Sequence, residues 1–241
     1  QMHESALAGE LGLAGWPSVA ESSIVARDVL LAEATGARLH VCHVSTAETV
    51  DVLRWAKARG IRVTAEVTPH HLVLTEEEVR GYDATFKVNP PLRAASDVEA
   101  LRAALADGTI DVVATDHAPH PMEAKRAAWA DAAMGMVGLE TALAVVQEAM
   151  VETGLLDWAD VARVMATTPA RIGGLEGFGG TIAVGAPAHL ALVDPAGSTP
   201  VDPAHLHGRS TNSPFLGRTL PGRVVHTVYA GRVTVQDGVV A

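Results

Sequence analysis

Apolar and polar positions alternate along the first two thirds of the chain with two different periods, and the switching predicts an α/β fold. Residues 23–35, SIVARDVLLAEAT, carry Ile24, Val25, Val29, Leu30 and Leu31 at helical spacing and stop at Gly36. Residues 37–44, ARLHVCHV, read as a strand. Residues 46–60, TAETVDVLRWAKARG, read as an amphipathic helix with Val50, Val52, Leu53 and Trp55 inward and Gly60 as its stop. IRVTAEV (61–67) is the next strand. In SDVEALRAALADG (96–108), Ser96 followed by Glu99 predicts a capping box, and Gly108 a helix end. IDVVAT (110–115) is a further strand, and GLETALAVVQEAMVETG (138–154) a long, largely apolar helix. Strands alternating with helices through short loops imply βαβ units and a parallel sheet.

After about residue 175 the pattern changes. GTIAVGAPAHLALVDP and GRVVHTVYAGRVTVQDG are short β-rich runs broken by Gly and Pro. They predict a small β-sandwich segment over 176–241, following an α/β unit over 1–175. The glycines of IGGLEGFGG form the loop between them and lack the strand–GxGxxG–helix setting of a nucleotide site.

Composition narrows the picture. The chain has 241 residues, 48% of them hydrophobic, which is enough for a substantial core. Its formal charge of -10 and lack of a Lys/Arg run argue against a nucleic-acid or membrane-surface partner. One cysteine, Cys42, rules out an internal disulfide and fits a reducing cytoplasm. It alternates away from His43 on its strand, which predicts a small buried hydrophobe. The four tryptophans are expected to pack helices. No 18-residue apolar span or signal peptide is present. The opening QMHESALAGELG lacks an initiator Met at position 1 and reads as the interior of a longer chain.

Three predicted strands end in titratable or polar side chains. RLHVCHVST ends at His43, TAEVTPHH at Thr68, His70 and His71, and VVATDHAPH at Asp116, His117 and His120. In a parallel α/β barrel all strand C-termini open on one face, so such residues converge on one pocket. Imidazole nitrogen and carboxylate oxygen suit zinc, which activates water near neutral pH. The plainer reading of one strand-end histidine is a hydrogen-bonded structural residue. The cluster around Asp116 favours chemistry more strongly. In FKVNPPLR the tandem prolines fix an extended turn and hold Asn89, which either caps that turn or clamps a substrate amide or carboxylate.

HVCHVST, AEVTPHHL, KVNPPLR, VATDHAPH, GMVGLETAL and STNSPFLGRTLPGRV occur in order along the chain. Together they resemble the bacterial class I dihydroorotases of the amidohydrolase superfamily. The resemblance implies a (β/α)8 TIM-like barrel, of which about strands 6–8 are covered, with a small C-terminal β-sandwich segment. It implies reversible, zinc-dependent hydrolysis of the cyclic amide of dihydroorotate to N-carbamoyl-L-aspartate, in pyrimidine synthesis. By resemblance His43 and Asp116 are metal ligands, and Asp116 is also the proton-moving catalytic group. Asn89, His120, Met134 and Gly135 correspond to substrate-binding positions, while His70 and His71 support or pack. The family's His-x-His-x-Arg motif, its strand-four ligand and its strand-five histidine have no counterpart here. The remaining ligands for one or two zinc ions are therefore expected upstream of Gln1, and this stretch alone is expected to be inactive. A small-molecule substrate and a homodimer are implied, and association with aspartate carbamoyltransferase is left open. The alternatives are another cyclic-amide hydrolase, an allantoinase or hydantoinase, and an inactive scaffold subunit.

Overall fold

The computed structural model describes residues 1–241. A short parallel pair, β1 (Met2–His3) and β2 (Gly15–Trp16), flanks α1 (Ala6–Leu11). Then come α2 (Val19–Thr35), β3 (Leu39–Val41), α3 (Ala47–Ala58), β4 (Val63–Val67), α4 (Ala95–Asp107) and β5 (Val112–Val113). Strands β3, β4 and β5 form one parallel sheet with β4 in the middle. Its strand ends carry the candidate chemistry, as the sequence pattern predicts. The regular part of β5 is short. Its pairing to β4 nevertheless runs from the Asp111 N–H, which donates to Ala65, to the Ala114 N–H, which donates to Val67.

Period-two alternation on β4 sorts the faces. Val63, Ala65 and Val67 turn outward and join Val25, Val29, Val50, Leu53, Leu101 and Leu105 of the three helices in the largest core cluster. Thr64 and Glu66 turn to the other face, with His40 of β3 and Cys42 just past its end. Burying the outer face removes a large apolar area from water, at roughly 25 cal/mol per Å², which holds the helices on the sheet.

Several local expectations change. On α2 the buried residues are Ser22, Val25, Val29 and Ala32, while Ile24, Leu30 and Leu31 are exposed. On α3 Trp55 is exposed, with the Arg59 guanidinium over its ring, and Ala56 takes the inward place. The capping box predicted at Ser96 is absent. Helix α4 starts at Ala95 without a side-chain cap, and the Asp97 carboxylate accepts the Ala47 N–H (2.9 Å), capping α3 instead. The stop at Gly108 holds, with φ +82°. Cys42 is exposed on the inner face of the sheet, not buried.

A four-residue helix α5 (Met122–Lys125) follows the last strand of the sheet. The long helix expected over 138–154 starts only at α6 (Ala142–Val146) and continues as a π-turn through Val151. It starts late because His117 Nδ1 takes the N–H groups of Gly138 and Leu139. Helices α7 (Trp158–Ala162) and α8 (Thr168–Gly173) complete the helical layer. The C-terminal part is a single antiparallel sheet, β6 (Leu190–Pro200), β7 (Thr219–Tyr229), β8 (Arg232–Gln236) and β9 (Val239–Val240). A second sheet facing it, as a sandwich requires, is not formed by these residues. Leu192, Val233, Val239 and Val240 are exposed. No helix is long and apolar enough to cross a membrane.

Candidate active site at the strand ends

His43 and Asp116 sit one or more residues past the ends of β3 and β5, on either side of β4, and both have positive φ (+40° and +47°). Non-glycine residues rarely adopt this backbone, and where they do it marks turns and functional sites. The left-handed turn breaks the strand's alternation at both residues. The two groups interact electrostatically.

Glu66 supports this end of the sheet from below. Its Oε1 accepts the His43 backbone N–H (3.3 Å), and its Oε2 pairs with His40 Nε2 (3.0 Å). His40 Nδ1 is hydrogen-bonded to Thr64 Oγ1 (2.8 Å). Burial pushes Glu66 up, but the hydrogen bond and charge of His40 and the His43 N–H outweigh it, so its carboxyl lies below the usual range. Asp116 moves the other way: burial pushes its carboxyl up, His43 pulls it down, and Glu66 pushes it up again. The two carboxylates thus differ in proton affinity, the condition for one to move a proton while the other stays charged. Burial, Glu66 and Asp116 all raise the Cys42 thiol. Ligand atoms of His40, Cys42 and Glu66 lie within 4.8 Å of one another.

An open cleft of about 440 Å³ borders this region, lined by Trp16, Ile24, His40, Cys42, His43, Asn89 and Arg93 among others. Asn89 is exposed there, and its amide makes no bond to its own turn, so the capping alternative is not the one adopted. The turn is held instead by His71, buried at the end of β4. His71 Nε2–H donates to the carbonyls of Pro90 and Pro91 (3.2 and 3.3 Å), leaving Nδ1 to accept the Thr68 hydroxyl (2.7 Å). Burial lowers its pKa to about 4 and keeps it neutral. His70 packs against it, ring centroids 4.6 Å apart.

His120, Met134 and Gly135 form a second wall, outside the lining of that cleft. His120 Nε2–H donates to the Met134 carbonyl (2.8 Å). Gly135 has φ +128°, and a Cβ there would stand 2.6 Å from Ala118 Cβ and 3.0 Å from His120 Nε2, so only glycine fits. The fully buried Asn212 ties the wall together. Its Oδ1 accepts the His120 N–H (3.2 Å), and its Nδ2 donates to Ala118 (3.0 Å) and Gly135 (3.2 Å). The two walls join through residue 87, whose carbonyl accepts the Gly135 N–H (2.9 Å). Glu66, His40, Lys87, Lys125 and Asn212 are absent from the sequence-derived site. The first two were discoverable from strand phase, since they share the inner face with the strand-end residues.

Residues 2–234 match the model of the amidohydrolase family, and the chain belongs to that family. Among curated proteins it is 68% identical to the dihydroorotase of Leifsonia xyli subsp. xyli, over 100% of this chain and 55% of that protein. It is 63% identical to the dihydroorotase of Streptomyces coelicolor, over 99% of this chain and 56% of that protein. The chain thus spans little more than half the length of these relatives. Among solved structures it superposes on dihydropyrimidinase from Brevibacillus agri with a TM-score of 0.87 at 27% identity, covering 93% of this chain and 50% of that one. L-hydantoinase from Arthrobacter aurescens gives 0.85 at 32% identity, covering 91% and 49%.

Proposed function

We propose that the protein carrying this chain is a dihydroorotase, which hydrolyses the cyclic amide of dihydroorotate reversibly to N-carbamoyl-L-aspartate. The observation that carries the reading is the pair His43 and Asp116, both on left-handed backbone at the ends of strands flanking β4. High identity to curated dihydroorotases over the whole chain supports it. The fold neighbours act on related cyclic amides by name, so the fold alone does not choose between dihydroorotase and hydantoinase. Sequence identity does favour the first: 63–68% against 27–32%.

The donor set fits zinc: one imidazole and one carboxylate, both just past the strand ends. In this reading His43 and Asp116 hold the ion together with ligands from outside the 241 residues, within a closed (β/α)8 barrel. Zinc, when bound, polarises the amide carbonyl and lowers the pKa of water. Asp116 takes the proton of the attacking water and delivers it to the leaving ring nitrogen. Glu66 holds the His43 backbone while this happens. Asn89 and His120 hydrogen-bond the substrate, and the Met134–Gly135 backbone contacts its ring. Residues 1–175 belong to the barrel and 176–241 to a β-sandwich. A cytoplasmic setting, a homodimer and association with aspartate carbamoyltransferase complete the reading by resemblance.

The test is an assay of the full-length protein with zinc, following loss of dihydroorotate absorbance, with hydantoin and allantoin in parallel. Chelator-sensitive opening of dihydroorotate well above both competitors is expected. Faster turnover of either competitor would replace the assignment.

A further inference from the structure

Two lysine ammonium groups lie in the interior behind the second wall. Lys87 and Lys125 are 2% and 3% exposed, and their hydrogen-bond partners are all backbone carbonyls. Lys87 Nζ donates to Trp129 (2.5 Å), Ala130 (3.1 Å) and Ala132 (2.7 Å). Lys125 Nζ donates to Ala133 (2.8 Å), Gly135 (2.8 Å) and the Lys87 carbonyl (3.2 Å). With His120 on Met134, every carbonyl from Trp129 to Gly135 except that of Asp131 is turned toward an ammonium or an imidazole. An ammonium has three donors and no acceptor, so both groups are saturated.

Two observations say what this arrangement is for. Gly135, at φ +128°, lies so close to Ala118 and His120 that a Cβ would collide with both, so small shifts of this backbone change the wall. A buried charge is also an expensive way to stabilise a fold, and apolar replacement is often neutral or better. We propose that Lys125, braced by Lys87, is a positioning residue: it sets the backbone of residues 133–135, and so the Met134–Gly135 peptide that meets the substrate. The proposal rests on the dihydroorotase reading. Burial first and neighbouring Lys87 second lower Lys125 to about 8, with Asp83 opposing. Lys87 itself faces Asp131. Between about 8 and the ordinary lysine value the unfolded chain binds more protons than the folded one, so stability rises with pH across that window and the cost of the charged form is fully present below about 8. That fits a group kept for geometry.

The test is Lys125→Met in the full-length, zinc-supplied protein. KM for dihydroorotate should rise about tenfold while kcat falls less than about threefold. Amide exchange at residues 132–135 should accelerate, with the melting temperature unchanged or higher. Lys125→Gln, which keeps N–H donors, should recover part of the KM. Unchanged KM would overturn the proposal. So would failure of Lys125→Met to fold, because a positioning residue is dispensable for folding. If the wild-type protein does not open dihydroorotate, the activity assignment fails. The exchange comparison then still decides the clamp: equal exchange in wild type and variant overturns it.

Discussion

The two walls of the candidate site are built by different means. The strand-end wall depends on the backbone: a rigid parallel sheet stops, and two or three residues on, the chain turns left-handed at His43 and Asp116. The loop wall has no regular structure between Arg126 and Ala142, and is shaped by buried polar side chains reaching in from elsewhere: Lys87, Lys125 and Asn212. A sheet can present chemistry with little outside help. A loop needs its carbonyls collected by donors before it can present anything.

This contrast predicts where each wall breaks. Asp116→Asn in the full-length protein removes charge and proton acceptor but keeps shape, and Asn tolerates the left-handed backbone. Turnover should fall about a thousandfold or more with the fold intact, since the sheet does the positioning. An Asn variant that keeps most of the wild-type rate would rule out the role. On the loop wall, Gly135→Ala should cost about 3–5 kcal/mol, from strain plus collision with Ala118. Chemical denaturation checks this, and a change below about 1 kcal/mol would show that the loop yields.

Between the walls, His71 makes an acid-sensitive joint. Its folded pKa of about 4 lies below the ordinary 6.5, so the unfolded chain binds the extra proton first. Its contribution is present above pH 6.5 and is lost as pH falls toward 4, by at most about 3 kcal/mol. His71→Gln should flatten the stability–pH slope over that interval. An identical slope in both proteins would remove His71 from the account. The smallest effects are expected for Asn89→Ala and His120→Ala, each on the order of 1–3 kcal/mol in kcat/KM. Unchanged kcat/KM in both would contradict their substrate contacts.

The strand-end wall was the legible one. Apolar runs ending at His43 and Asp116 announce strands with chemistry at their C-termini, and the parallel order β3–β4–β5 follows from the helical spacing between them. The loop wall was legible only by resemblance, at His120, Met134 and Gly135. Its supports, Lys125 and Asn212, are 87 positions apart in sequence and meet only at the Gly135 carbonyl. No local period encodes that meeting. The lost capping box at Ser96 fails for a related reason: Asp97 is drawn to the start of α3, a partner fifty residues away. The exposed Cys42 shows the wrong face taken as buried: its thiol lies with His40 and Glu66, and His43 is already past the strand, so alternation does not relate the two.

The left-handed turns at His43 and Asp116 also set how this protein would drift if it were selected only to stay folded. Glycine adopts that backbone at less cost than either residue, although histidine and aspartate are among the side chains that tolerate it best. A population screened for heat resistance in the absence of substrate should therefore accumulate Gly at these two positions, gaining melting temperature as it loses its chemistry. Catalysis here would be maintained by continuous purifying pressure against the backbone's own preference.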